Sequence, residues 1–126
     1  MTQLTASVMA VDPAGSVHEL VLGGGAAQVD ALHRAVGSDV LDMLVVTPQL
    51  LIWMDDRGAV NGSAVNSVAT ELVRTAPRLR NQVVRGTVVF TGAADPSGNV
   101  TSLGPEWAQI LRSPRQSTPN PPRNNN

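Results

Sequence analysis

Positive charge is concentrated in one segment of this 126-residue sequence. Residues 74–85 contain four arginines and no acidic residue: Arg74, Arg78, Arg80 and Arg85. A guanidinium group presents a planar fork of N–H donors that matches the oxygens of phosphates and carboxylates. The segment is therefore a candidate anion-binding site. The alternative is a solvated basic loop, or one whose arginines pair with Asp55, Asp56 and Glu71.

Arg78 and Arg80 are the strongest pair in this segment. They follow Pro77, which ends the predicted helix before them, and they flank Leu79. Residues two apart in an extended segment point to the same side. We therefore expect both guanidinium groups to grip one phosphate, with Leu79 as the anchor on the opposite side.

Trp53 offers a different kind of contact. It lies on a predicted strand, on the face opposite Ile52. A ring at this position either packs in the core or presents a surface on which a ligand or partner stacks. The sequence leaves both interpretations open, so Trp53 is kept as a candidate ligand-binding residue.

The composition excludes several kinds of chemistry. Cysteine is absent, which rules out disulfides, zinc–thiolate sites, iron–sulfur clusters and cysteine nucleophiles. Lysine is also absent, which rules out a Walker-type phosphate loop and Schiff-base chemistry. The formal net charge is −1 and tyrosine is missing, so general binding of nucleic acids is not expected.

The remaining motifs do not complete a catalytic or metal site. The run Gly23-Gly24-Gly25 lacks the last glycine of the dinucleotide fingerprint, because Gln28 stands there, although its backbone amides could hold an anion. His18 and His33 do not have the spacing of metal ligands. We therefore expect no catalytic residue, no metal site and no cofactor, and hence no enzyme.

The spacing of apolar residues predicts an α+β fold with the order ββαββαβα. Strands are expected at 4–10, 17–22, 40–47, 50–54 and 83–91, and helices at 27–36, at 65–73 and from Pro105 onward. This order favours a mostly antiparallel sheet of about five strands, with the two or three helices on one face.

The chain is expected to form one domain, residues 1–112, followed by a disordered tail, residues 113–126. The tail has four prolines and no aliphatic side chain, so it cannot bury a core. The first residues do not resemble a signal peptide, and no apolar run approaches the ~20 residues of a membrane span. A cytoplasmic location without membrane contact is therefore expected.

Two predicted strands are apolar on both faces, and this bears on assembly. The runs 40–46 and 50–54 need more cover than two helices of about ten residues and a shorter one provide. We expect a second copy of the chain to close part of this surface, with two-fold symmetry as the default. The chain is therefore predicted to be a homo-oligomer.

Two segments are similar to a known family. One runs from Asp55 through Gly62 and continues into the helix that starts near Asn66, and the other runs from Val84 to Gly92. Over about residues 4–111, this order resembles the domain-of-unknown-function 3846 family, small proteins common in phages and mobile elements. The resemblance implies a phage accessory protein that acts inside the host cell. It also makes Asn66 a candidate, whose amide either binds a ligand or caps the helix.

Two functions are compatible with these observations. The first is a phage-encoded, cytoplasmic, non-enzymatic protein that sequesters a small anionic, nucleotide-like ligand and so evades host defence. The alternative is a phage protein that binds and inhibits a host protein. The candidate ligand-binding residues are Arg74, Arg78, Arg80, Arg85, Asn66 and Trp53.

Overall fold

Residues 5–113, the part of the chain that a computed structural model describes, form five strands and three helices. The elements are β1 (Thr5–Val11), β2 (Val17–Gly23), α1 (Gly25–Val36), β3 (Leu41–Thr47), β4 (Leu50–Asp55), α2 (Ser67–Val73), a 3-10 turn (Pro77–Leu79), β5 (Val88–Thr91) and α3 (Pro105–Arg112). The predicted order ββαββαβα is confirmed. The predicted tail lies outside the described residues except for Ser113. Within residues 5–113, no helix is long and apolar enough to cross a membrane.

The five strands form one sheet in the order β2-β1-β5-β4-β3, and every neighbouring pair is antiparallel. β5 is the central strand, since Phe90 pairs with Met9 of β1 on one side and with Ile52 of β4 on the other. The predicted antiparallel α+β fold is therefore confirmed. β2 and β3 are the two edge strands.

The helices cover both faces of the sheet. On one side, which we call the α1 face, Leu32 and Val36 of α1 pack with the inner strands and with the half-buried Trp53. On the other side, which we call the α2 face, α2 and α3 pack over Ile52 and Phe90. The prediction of helices on one face is wrong, because alternate residues of the inner strands are apolar on both sides and both faces need cover.

Local signals set the ends of the helices. α1 ends where Gly37 adopts a left-handed φ of +80° and donates its N–H to the His33 carbonyl. α2 begins after Asn66, whose side chain caps it, two residues later than predicted. α3 begins with Pro105 in its first turn, as predicted.

The last strand is shorter than predicted. Its ladder covers only Val88–Thr91, because α2 occupies the backbone groups of Val84. The Val84 carbonyl accepts from the Asn66 N–H, and the Val84 N–H donates to Thr70 Oγ1 (2.9 Å). The prediction of a continuous strand over 83–91 is therefore wrong for the residues before Val88.

β4 is covered on both faces within one chain, whereas β3 is not. Leu50, Leu51 and Ile52 are at most 5% exposed, while Met43 is 39% and Val45 41% exposed. Apolar surface is thus left on the edge strand β3 and not on β4. The homo-oligomer stays a prediction, and the surface that motivates it is now β3 alone.

Candidate functional site

The connection between α2 and β5 carries all four predicted arginines. Three of them lie in its first part, residues 74–82, which we call the arginine loop. Arg74 follows the last residue of α2, and its Nε donates to the Gln82 carbonyl (2.9 Å), which joins the two ends of the loop. Ala76 is buried and Leu79 packs against the core of the α2 face, so both anchor the loop. Around these anchors the three arginines are exposed: Arg74, Arg78 and Arg80.

Arg78 reaches the open edge of β3, where its Nη2 donates to the Val45 carbonyl. The Val40 carbonyl accepts from the Asp56 N–H (3.0 Å) and therefore points toward the β4 side. Backbone groups alternate in direction along a strand, and the register of β3 shifts only after Val45. The Val45 carbonyl therefore points away from β4, and Arg78 ties the arginine loop to the free edge of the sheet.

Arg78 and Arg80 do not face the same side. Pro77–Leu79 form a 3-10 turn, and Arg80 keeps helical backbone angles (φ −57°, ψ −30°). With about three residues per turn, residues two apart point about 120° away from each other. The prediction of an extended segment is therefore wrong, although Leu79 is the anchor that was expected.

Arg85 lies at the other end of α2. It pairs with Val65, just before α2, in an isolated β-bridge, and its Nη1 donates to the Ser63 carbonyl (3.1 Å). The structure thus places three of the predicted arginines on one loop and separates Arg85 from them. The four residues do not form a single site.

Three arginines of this segment, Arg74, Arg78 and Arg85, donate to backbone carbonyls. Within residues 5–113, the ion pairs described join Arg112 to Glu19 and His18 to Asp12, and neither includes an arginine of the loop. A guanidinium group has five N–H donors, of which Arg74 and Arg78 use one each in the contacts above. The other donors of these exposed side chains are the part of the loop that could bind an anion.

Asp55, an alternative partner predicted for the arginines, stabilises its own turn instead. Its carboxylate accepts from the Arg57 N–H (2.9 Å), Ser38 Oγ (2.8 Å) and Asn61 Nδ2 (2.9 Å). These bonds, the one from the Arg57 N–H first among them, hold the pKa of Asp55 below its ordinary value of 3.8. Within residues 5–113, no group of three or more His, Cys, Asp or Glu side chains could hold a metal ion.

Asn66 is fully buried, and its side chain joins three parts of the fold. Its Oδ1 accepts from the Ala69 N–H (3.1 Å) and caps α2. Its Nδ2 donates to the Val11 carbonyl of β1 and to the Gly86 carbonyl before β5, each at 2.9 Å. Both amide hydrogens are used, so the geometry favours the capping role and leaves no side-chain donor for a ligand.

Trp53 lies on the α1 face, on the opposite side of the sheet from α2. Its Nε1 donates to Thr91 Oγ1 (3.1 Å), and its ring is half-buried against the core of that face. The ring is therefore held within the sheet, and the structure does not bring it together with the arginines.

A family comparison agrees with the two motifs that carry the resemblance. A family model described as domain of unknown function (DUF3846) matches residues 5–114. The chain belongs to the DUF3846 family. The predicted family is thus confirmed, and no curated protein and no solved structure shows a significant match to the chain.

The two motifs of this DUF3846 chain contact each other. The Gly86 N–H donates to the Ala64 carbonyl and the Asn66 N–H to the Val84 carbonyl, each at 2.8 Å. Arg85 lies between these two contacts and binds Ser63. The motifs therefore form one structural unit that links the 55–63 turn, the start of α2 and the entrance to β5.

Two cavities of the DUF3846 domain lie elsewhere, and none of the predicted site residues lines them. One, of about 280 Å³, lies at the start of α1 beside Gly24 and Asn99. The Gly25 N–H there donates to Asn99 Oδ1 (2.9 Å), so this amide of the glycine run is already used. The other, of about 300 Å³, lies between β2 and α3. Their walls come from distant parts of the sequence, so no local signal could reveal them.

Proposed function

We propose that the protein is a non-enzymatic binding module that sequesters a small anionic, nucleotide-like ligand at the arginine loop. The observation that carries this proposal is the exposure of Arg74, Arg78 and Arg80 on one loop anchored in the core. Charge-assisted bonds from guanidinium to phosphate are short and about twice as strong as neutral ones. An anion held there would replace water at the guanidinium donors that make no bond in the contacts described within residues 5–113.

The proposal is non-enzymatic because arginine binds charge and does not transfer protons. Its guanidinium group stays protonated at physiological pH, so it cannot act as a general acid or base. We include in the proposal that the protein is a phage-encoded accessory protein acting in the cytoplasm of the host, where it evades host defence. The resemblance to a family common in phages supports this part.

Calorimetric titration with a panel of linear and cyclic nucleotides tests the proposal. The variant Arg78→Ala/Arg80→Ala is expected to lose affinity at least tenfold, about 1.4 kcal/mol. Arg34→Ala, which removes an exposed arginine of α1, should bind like the wild type. Wild-type binding weaker than about 1 mM, ~4 kcal/mol, for every nucleotide would contradict the proposal.

A second candidate function is the binding and inhibition of a host protein, and the 55–63 turn favours it. Backbone bonds from Asn61 to Arg57 (2.8 Å) and from Ser63 to Gly58 (2.9 Å) order this turn. Val60 is nevertheless 86% exposed. Ordered loops that present an apolar side chain are common recognition elements between proteins.

Affinity capture from host lysate tests this second candidate. A partner recovered in equimolar amounts with the wild type should be lost with Val60→Ser. It should be kept with Val21→Ser, a matched change on β2, because Val21 is 71% exposed but lies on another surface. Equal recovery with all three proteins would argue against the turn as the binding surface.

A further inference from the structure

The edge strand β3 exposes apolar side chains together with backbone groups that are not bonded to another strand within residues 5–113. In the part of the chain that the structure describes, β3 pairs with β4 on one side only, and Met43 and Val45 are exposed on its α1 face. Because backbone groups alternate in direction, the N–H and C=O of Leu41, Met43 and Val45 point to the free edge. Such an edge is a template for pairing with a further strand.

Two oppositely charged side chains of the same chain occupy this edge. Asp42 Oδ1 accepts from the Met43 N–H (2.8 Å), and Arg78 donates to the Val45 carbonyl. At the other edge, Glu19 of β2 is already paired with Arg112, whose Nε is 3.1 Å away. At the β3 edge, Asp42 and Arg78 bond to backbone groups and not to each other. At the β2 edge, Glu19 and Arg112 already form an ion pair.

We propose that β3 pairs antiparallel with β3 of a second copy, around a two-fold axis at Met43. In this register Leu41 faces Val45 of the partner subunit, so the outward backbone groups of all three residues find partners. Asp42 then lies opposite Leu44 of the partner subunit. The next residue of that strand, the partner subunit's Val45, carries the carbonyl that the partner subunit's Arg78 contacts. Strands are about 4.8 Å apart, so the long arginine side chain spans the distance to this carboxylate.

Charge complementarity selects this register. A shift that places Asp42 opposite its own copy would bring two like charges together, which is destabilising. In the register around Met43, each Asp42 meets the other copy's arginine, and two-fold symmetry forms this ion pair twice. On dimerisation, Asp42 and Arg78 exchange their bonds to backbone groups of β3 for an ion pair between the two copies. Arg78 also belongs to the arginine loop, so an anion bound there would share this side chain with the interface.

Cross-linking through one introduced cysteine tests the register, since the natural chain has none. Facing residues of a hydrogen-bonded antiparallel pair have Cα atoms about 5.5 Å apart, within the range that a disulfide spans. Under mild oxidation, Met43→Cys is expected to form covalent dimers at least ten times faster than Val21→Cys, a control on the highly exposed β2 position. Equal rates for the two variants would overturn the register.

Charge reversal tests the ion pair. Asp42→Arg and Arg78→Asp are each expected to raise the dimer dissociation constant at least tenfold in sedimentation equilibrium. An equimolar mixture of these two variants should dimerise again, because every acid then faces a base. Arg112→Asp, the same change at the β2 edge, should leave the dimer intact. A wild type that is monomeric at tens of micromolar, or a mixture that stays monomeric, would overturn the proposal.

Discussion

Replacing Asn66 with alanine removes three hydrogen bonds, one that caps α2 and two that connect its start to β1 and to the entrance of β5. Loss of the cap on the Ala69 N–H costs about 1 kcal/mol. The carbonyls of Val11 and Gly86 each lose a donor, at about 1 kcal/mol or more apiece. We therefore expect Asn66→Ala to lower the free energy of unfolding by about 3 kcal/mol, a large share of the usual 5–15 kcal/mol.

Asn66→Ser separates the two parts of this effect. Serine is a good capping residue but has no amide to reach the two carbonyls, so this variant should lose about 2 kcal/mol. Asn61→Ala is the control, because Asn61 is exposed and should cost at most about 1 kcal/mol. Urea unfolding followed by tryptophan fluorescence measures all three. A loss below about 1 kcal/mol for Asn66→Ala, or equal losses for serine and alanine, would refute the reasoning.

Three further predictions concern the loop, the turn and a close contact. Arg78→Ala/Arg80→Ala should change the free energy of unfolding by at most about 1 kcal/mol, because exposed charges and the exposed bond from Arg78 to Val45 contribute little. A larger loss would mean that these arginines have a structural role. The hydrogen bonds to the Asp55 carboxylate should stabilise the protein above about pH 3.8, and this stabilisation should be lost as the pH falls through the lowered pKa of Asp55. The free energies of unfolding of wild type and Asp55→Asn should therefore converge as the pH is lowered. Gly92→Ala should lower the free energy of unfolding by about 2 kcal/mol, because the new Cβ would overlap the Ser102 carbonyl oxygen. Gly23→Ala is the control, since its Cβ would meet nothing closer than 3.9 Å. Similar urea midpoints for the two variants would contradict the contact.

Elements with local signals were predictable from the sequence. Gly37 after an apolar stripe marks the end of α1, and Pro105 marks the start of α3, because each acts through its own backbone conformation. The distribution of the helices over two faces was not predictable in this way. The sequence of an apolar strand does not show whether helices cover one face of it or both. The packing of β4 on both faces therefore depends on tertiary structure.

The candidate site was predictable only in part. The exposure of Arg78 and Arg80 agrees with their polar, proline-led segment, but their directions do not, because the fold closes this segment into a 3-10 turn. The separation of Arg85 depends on its bridge to Val65, which forms only once α2 folds back. The contact between Arg78 and the Val45 carbonyl joins residues with no local relation in the sequence.

The central position of β5 has a consequence for the order of folding during synthesis. Met9 and Phe90 pair although 81 positions separate them, so β1 cannot complete its side of the sheet until residues 88–91 have been translated. The two hairpins formed earlier lack this shared strand, and an isolated hairpin is only marginally stable in water. Closing so long a loop is slow, and we expect the nascent chain to remain largely unfolded until β5 leaves the ribosome.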